Sequence, residues 1–403
     1  MLTRRWDAQD MALKGLNQEY GRPYNRRLVL ETIRLFGPVA RGEVARRVGL
    51  TVQTVSTIIR ELELQDFVRG AREMPKGRGL PPTFLNINPD GGYAIGVHVT
   101  PVGIKAALIN LMGEVIDERE RALPHVSPDR AFRELEKLVA GLRKLRPRGR
   151  MLGIGLALPG PFDVESMSFV GPTTLEGWKG VPIRERLFRL TGLPAFIEAD
   201  FAAAALGERL YGAGRDLREF YYLYFGFGLG GCLVHEGAPL RGAFGNAGEI
   251  GHVPLVPNGE PCPCGNRGCL ERYVSIEAME RRSAQIGMDR WIEEAVPLLR
   301  SAIATIENLY DPESIVVGGF AKESILTRLI LAAQPLSPSV AERGGRSAPR
   351  VTHSREGANA VLRGAAALAV AGVLSPRSGS LFAQEGDGSP DPARRPGKRK
   401  EAA

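Results

Sequence analysis

The sequence predicts a mixed α/β protein in two parts: a small basic helical head with a two-stranded wing, then a larger two-lobed body of strands and helices. Three observations carry this. Residues 25–70 set short amphipathic helices around a glycine turn, the pattern of a helix-turn-helix. Residues 93–320 alternate apolar strand segments with helical ones, the order of an α/β body. The charge divides the same way. Residues 1–85 carry 15 Lys/Arg against 9 Asp/Glu, residues 376–403 carry 6 against 4, and residues 86–375 balance.

A chain of 403 residues exceeds one ordinary domain, and 43% hydrophobic content supplies a sizeable core. The expected division is an arm over 1–20, the winged head over 21–88, the body over 89–375 and a disordered Pro/Gly/charge-rich tail over 376–403. No apolar run is long enough for a membrane span, and "MLTRRWDAQD" lacks the apolar stretch of a secretory signal, so a cytoplasmic location is expected. Three of the four cysteines fall within eight residues. In a reducing compartment that spacing reads as metal binding, not as a disulfide framework.

In the head, Leu28, Ile33 and Leu35 mark a first helix that stops near Gly37-Pro38. "RGEVARRVGL" is a short second helix closed by Gly49. Thr51 is the expected N-cap of a third, whose Val52, Val55, Ile58, Ile59 and Leu62 recur at helical spacing. Its early polar residues Thr51, Gln53, Thr54, Ser56 and Thr57, with Arg60, suit contact with base edges or phosphates. Phe67-Val68 and Thr83–Ile87 predict the two wing strands. Between them "KGRG" presents Lys76 and the glycine-flanked Arg78, suited to a narrow minor groove. A three-helix protein-binding module is the competing reading. Basic charge and wing together favour double-stranded DNA.

In the body, "YAIGVHVTPVGIKAALINLMGEVIDERER" reads as three strands, and "MLGIGLALPGPFD" as a buried strand entering a Gly/Pro loop. "FIEADFAAAALGERLYG" is a strand running into a helix with Asp200 at the junction. "FYYLYFGFGLGGCLVHEGAPLRG" is a hairpin, and "SIVVGGF" a further strand. Cys262, Cys264 and Cys269 form C-x-C-x4-C, with His252 ten residues upstream. Three thiolates and an imidazole close a tetrahedral Zn2+ shell, which is a structural site, not a catalytic one. Reduced, unliganded thiols are the bland alternative. Cys232 lies in an apolar strand and reads as core.

The segments "NAGEIGH…CPCGNRGCLE", "ALPGPFD" and "EADFAAAALGE" resemble the ROK family (repressors, open reading frames and sugar kinases) over roughly residues 20–375. The likeness is to its repressor branch, of the N-acetylglucosamine, glucose and xylose type. It implies a winged helix-turn-helix joined to an actin-like ATPase/sugar-kinase fold, and the same four zinc ligands. It further implies that Asp200, Glu249, His252 and Glu271 contact sugar hydroxyls, with Gly160 and Asn246 in loops close to the ring. His252 would serve zinc through one nitrogen and sugar through the other. The chain departs from the family where kinases read Asn-Asp-Ala-Asn: here stand Ala199-Asp200-Phe201-Ala202.

The kinase phosphate motifs are altered as well. His98 replaces the Asp of the family's Asp-x-Gly-Gly-Thr turn, Thr100-Pro101-Val102 replaces its glycines, and Gly226-Phe227-Gly228 replaces Gly-Thr-Gly. Proline removes an N–H donor, and phenylalanine offers no hydroxyl. Gly318-Gly319 is either a relic of a nucleotide pocket or a plain strand-end turn. The expected function is a sugar- or sugar-phosphate-responsive repressor without catalysis, binding a palindromic operator as a homodimer or homotetramer. An active sugar kinase with a DNA-binding appendage, and a DNA-binding scaffold with a dead effector site, are the competing readings.

Overall fold

The computed structural model describes residues 22–72, 83–145, 150–163, 168–169 and 175–374. The expected arm, the wing-tip residues Lys76 and Arg78, and the tail lie outside the described residues.

The head is built from α1 (Arg22–Phe36), β1 (Val39–Ala40), α2 (Arg41–Val48), α3 (Val52–Leu64), β2 (Val68–Arg72) and β3 (Thr83–Ile87). Gly49 ends α2 at φ 67°, a left-handed conformation that costs glycine nothing, and its N–H bonds the Ala45 carbonyl. Thr51 caps α3, its hydroxyl accepting the Thr54 N–H at 3.1 Å. Leu28, Ile33, Val44, Val48, Val55, Ile59 and Leu62 converge in the core. Leu35, expected inward, is only half-buried, while Leu28, Val29, Leu30 and Ile33 of α1 are buried. The wing is a three-stranded sheet in the order β1-β3-β2.

The first lobe carries β4 (Tyr93–Thr100), β5 (Gly103–Asn110), β6 (Val115–Ala122), α4 (Pro128–Arg143), β7 (Met151–Leu158), the short ribbon β8 (Phe162–Asp163) and β9 (Ser168–Phe169), α5 (Ile183–Thr191) and β10 (Ala195–Ala199). Its sheet runs β10-β7-β4-β5-β6, with β4, β7 and β10 parallel. After α6 (Asp200–Tyr211) come β11 (Phe220–Phe225), β12 (Leu229–His235), β13 (Ala238–Pro239), α7 (Ile276–Ile286), α8 (Met288–Tyr310), β14 (Ser314–Gly319), α9 (Glu323–Ala332), β15 (Val351–His353) and α10 (Ala360–Leu374). The second sheet runs β13-β12-β11-β14-β15.

Two helices tie the parts together. α10 is rich in alanine and presses on α6 and on the first sheet. The approach is so close that a Cβ on Gly155 of β7 would lie 1.7 Å from the Ala365 carbonyl oxygen. α10 also joins the head. Leu30, Ile33 and Leu85 share one hydrophobic cluster with Ala94, Leu152, Ala366 and Val370, so the core runs unbroken across residues 88–89. Among the described residues, no helix is long and apolar enough to cross a membrane.

Candidate functional site

The parallel strands β4, β7 and β10 end at one rim of the first lobe, facing the second. Asp200 opens α6 on this rim, and its carboxylate accepts the Phe201 N–H at 2.8 Å. The side chain is 8% exposed. Burial pushes Asp200 up to about 7, against the pull of hydrogen bonds from the Phe201 N–H and the Tyr224 hydroxyl, and the nearby Glu249 raises it further. Glu249 is raised by its own burial and by Glu271, while His252 lowers it. Glu271 comes from beyond the cysteines, and its Oε2 accepts the Leu229 N–H at 3.0 Å. Gly160 brings the loop after β7 against the same group: a Cβ there would lie 3.3 Å from Glu249 Oε1. The structure thus gathers Gly160, Asp200, Glu249 and Glu271. Asn246 instead donates to Phe244 O, 3.1 Å away within its own loop.

Beside them His252, Cys262, Cys264 and Cys269 bring their ligand atoms within 4.8 Å of one another. Tight turns at Gly265 and Gly268, both at positive φ, fold the loop back on itself. His252 Nδ1 is 3.5 Å from Cys262 Sγ, and Cys264 Sγ is 3.6 Å from Cys269 Sγ. Ligands about 2.0–2.3 Å from a tetrahedral zinc have edges of about 3.5–3.8 Å, so the set fits the ion. Its chemistry fits as well. Burial and the neighbouring thiols push Cys269 up to about 12, and a cation is what lets all three sulfurs ionise together. With Nδ1 toward the cysteines, His252 turns Nε2 toward Glu249, 3.9 Å away.

Three residues outside the expected set also shape the cleft. Glu198 is a buried acid in the strand "AFIEA", a signal that a partner must exist. That partner is Arg241, whose Nε donates to Glu198 Oε2 at 2.7 Å. Phe320 follows β14 and packs on Phe227 at 5.5 Å between centroids and, edge-on, on His98 at 6.3 Å. Through Phe320 the segments that carry His98 and Phe227 come together. His98 is 3% exposed, its Nε2 has no hydrogen-bond partner among the described residues, and burial lowers it to about 3, so it is neutral. Cys232 is buried in β12, as its apolar strand implies.

In the head, Thr51, Gln53, Thr54, Thr57 and Arg60 are exposed and Ser56 is half-buried. Val55, Ile58, Ile59 and Leu62 point the other way, into the core. Val52, expected inward with them, is instead 55% exposed in the first turn. The outer side of α3 there, the region a recognition helix presents to base edges, is therefore polar apart from this one valine.

The ROK family profile matches residues 94–371. The xylose repressor of Caldicellulosiruptor bescii is 30% identical over 337 residues, covering 74% of this chain and 83% of its own. A solved ROK family transcriptional regulator, a homologue of the Escherichia coli MLC protein, superposes with a TM-score of 0.73 at 23% identity, over 90% of this chain and 99% of that one. The ROK hexokinase from Thermus thermophilus superposes with a TM-score of 0.56 at 29% identity, over 68% of this chain and 96% of its own. The regulator's fold therefore spans more of this chain than the hexokinase's.

Proposed function

The chain belongs to the ROK family, and from that premise we propose that it is a sugar-responsive DNA-binding regulator, a repressor of genes for carbohydrate uptake or catabolism, and not a kinase. The observation that carries this reading is the free polar face of α3 on a head whose core continues into the ROK body. Gln53, Thr54, Ser56 and Thr57 read base edges, while Thr51, Arg60 and the wing residues Lys76 and Arg78 hold the duplex. An operator with two half-sites calls for two heads, hence a homodimer or homotetramer.

Asp200, Glu249, His252 and Glu271 bind the hydroxyls of the sugar, with the loops at Gly160 and Asn246 closing around the ring. His252, Cys262, Cys264 and Cys269 hold a structural Zn2+, which when bound fixes the 249–272 loop by closing its ligand shell. Sugar binding changes the arrangement of the lobes, and with it the spacing of the heads, through unequal affinity for the two arrangements.

The stacked His98, Phe227 and Phe320 support loss of the phosphate site. Phosphoryl transfer needs donors and a metal around the phosphates; Phe227 and Phe320 offer neither, and His98 is buried without the charge of a carboxylate that would hold a metal. One observation favours a kinase instead: Asp200 is retained and raised toward neutrality, as suits a general base.

A mobility shift on the gene's own upstream DNA, at fixed near-physiological salt, tests the reading. The expected result is a specific complex released by one sugar. No specific complex with any DNA, together with sugar-dependent ATP turnover at enzyme rates, would establish the kinase.

A further inference from the structure

We propose that Val52, in the first turn of α3, is a specificity-determining residue that reads the C5-methyl group of a thymine in the major groove, at or beside the base pair read by Gln53; this rests on the DNA-binding reading above. α3 carries two kinds of branched apolar side chain. Val55, Ile58, Ile59 and Leu62 are at most 4% exposed and lock the helix to the head. Val52 is 55% exposed, among Thr51, Gln53 and Thr54, which are exposed as well. Neither core nor helix accounts for a valine there. The core does not use it, and a β-branched side chain loses rotamer freedom in a helix that alanine or a straight-chain residue keeps. Nor does the first turn carry an acidic residue, although a helix N-terminus favours one. A carboxylate at this point would repel the phosphates of a duplex, whereas two methyl groups do not.

The polar residues around it are partly engaged by the helix itself. Thr51 Oγ1 accepts the Thr54 N–H at 3.1 Å and lies 2.8 Å from the Thr54 hydroxyl. The Thr57 hydroxyl donates to the Gln53 carbonyl at 3.2 Å, and Ser56 is half-buried. The Gln53 amide, by contrast, makes no side-chain hydrogen bond among the described residues. Hydrogen bonding therefore leaves this turn one fully free reader, an amide, whose geometry suits adenine N6 and N7. The other feature a major groove offers is apolar: the thymine methyl, which distinguishes T·A from the other pairs by contact alone. Val52 is the residue of the turn built for that contact.

Charge commits the valine to DNA and not to an apolar partner. Arg60, about two turns further on, is exposed and makes no ion pair among the described residues. Residues 1–85 carry 15 Lys/Arg against 9 Asp/Glu, so the head as a whole attracts a polyanion. The Thr51 cap also sets the turn at the front of the helix, where recognition helices meet base edges. Leu64, 82% exposed, ends the same helix. At 1.5 Å per residue it lies about 18 Å from Val52, beyond the roughly 12 Å width of the groove. It is an exposed apolar residue of α3 that base reading does not use, and so a control.

The test selects binding sites with the full chain from a pool of randomised duplexes at fixed, near-physiological salt. The best site is then rebuilt with each thymine in turn replaced by uracil, which keeps every hydrogen-bonding group and lacks the methyl. The expected result is a thymine in each half-site whose replacement weakens wild-type binding about fourfold, the equivalent of one buried methyl-sized group. Val52→Ala should bind the thymine site correspondingly less tightly and no longer distinguish the two bases there. Leu64→Ala should distinguish them as wild type does. Both side chains are exposed, so neither variant opens the core of the head. The inference is overturned if no thymine is sensitive in wild type, if Val52→Ala keeps the sensitivity, or if Leu64→Ala loses it equally; in each case the DNA-binding reading stands. If the chain selects no site from the pool, that reading itself falls and takes the inference with it.

Discussion

Arg34 in α1 donates through Nη1 to the main-chain carbonyl of Leu210, 3.2 Å away at the far end of α6. The first residue of that helix is Asp200. Its 12 residues span about 18 Å at 1.5 Å per residue, and all but the last are buried. One packed rod thus runs from the cleft to the head. Arg34 is 7% exposed and pairs with Glu31 at 2.7 Å. Arg34→Met leaves the Leu210 carbonyl and the Glu31 carboxylate without this partner, at a cost of about 1–3 kcal/mol. Sugar binding should persist while its effect on operator affinity shrinks toward none. Operator titrations with and without saturating sugar measure this, and an undiminished effect would show that α6 does not carry the signal.

The zinc shell should be structural. Purified protein is expected to hold about one zinc per chain, and Cys269→Ser to lose it, because a hydroxyl is a poor substitute for a thiolate. Cys269 is fully buried, and its Sγ also lies 3.4 Å from the His252 carbonyl. Removing the metal with a chelator should lower the melting temperature and abolish sugar binding, since Glu249 and Glu271 flank the loop. Operator binding without sugar should survive, because the head's cluster of apolar residues includes none from that loop. Metal analysis with calorimetry before and after chelation checks both claims. A chelated protein that still binds sugar normally would end the structural role.

Local patterns made the head and the metal cluster legible in sequence. The period of Val55, Ile58, Ile59 and Leu62 is the buried face of α3, and the cysteine spacing is the cluster that converges with His252, because each depends on residues near in the chain. What stayed hidden depends on distance. Glu198 and Arg241 are 43 residues apart, and Arg34 and Leu210 176 apart, so nothing local pairs them. Glu198 is an acid inside the apolar strand "AFIEA", but nothing local to that strand names the arginine that pairs with it. The shared core of head and body was hidden for another reason. The alanines of α10 carry no local mark of what they pack on, and only the fold sets Ala366 and Val370 against Leu30 and Ile33.

Asp200 should make stability depend on pH. Burial raises it from an ordinary 3.8 to about 7 in the folded chain. Between those values the folded state holds a proton that the unfolded state has released. Its contribution is thus complete below the unfolded value, falls as pH rises, and is gone above about 7. Asp200→Asn cannot ionise and lacks this slope. Urea unfolding of both proteins from acid to pH 8 should show wild type losing ground to the variant as pH rises, by a few kcal/mol in all at about 1.4 kcal/mol per unit. A difference independent of pH would mean that Asp200 is not held neutral. Taking the difference removes the opposite slope expected of His98, which burial depresses.

The two kinds of contact on α3 should separate by salt and by sequence. Gln53 and Arg60 are both exposed on the helix, but their chemistry differs. An amide reads a base edge by paired hydrogen bonds, whereas an arginine at a phosphate supplies charge that displaces a counterion. Gln53→Ala should cost about 1–3 kcal/mol on the specific operator and little on unrelated DNA. Arg60→Ala should weaken both kinds of DNA alike and reduce the slope of log affinity against log salt by about one. Binding measured at several salt concentrations on both DNAs decides the matter. Equal losses on the two DNAs for Gln53→Ala would move that residue from base reading to backbone contact. An unchanged salt slope for Arg60→Ala would place its guanidinium away from the phosphates.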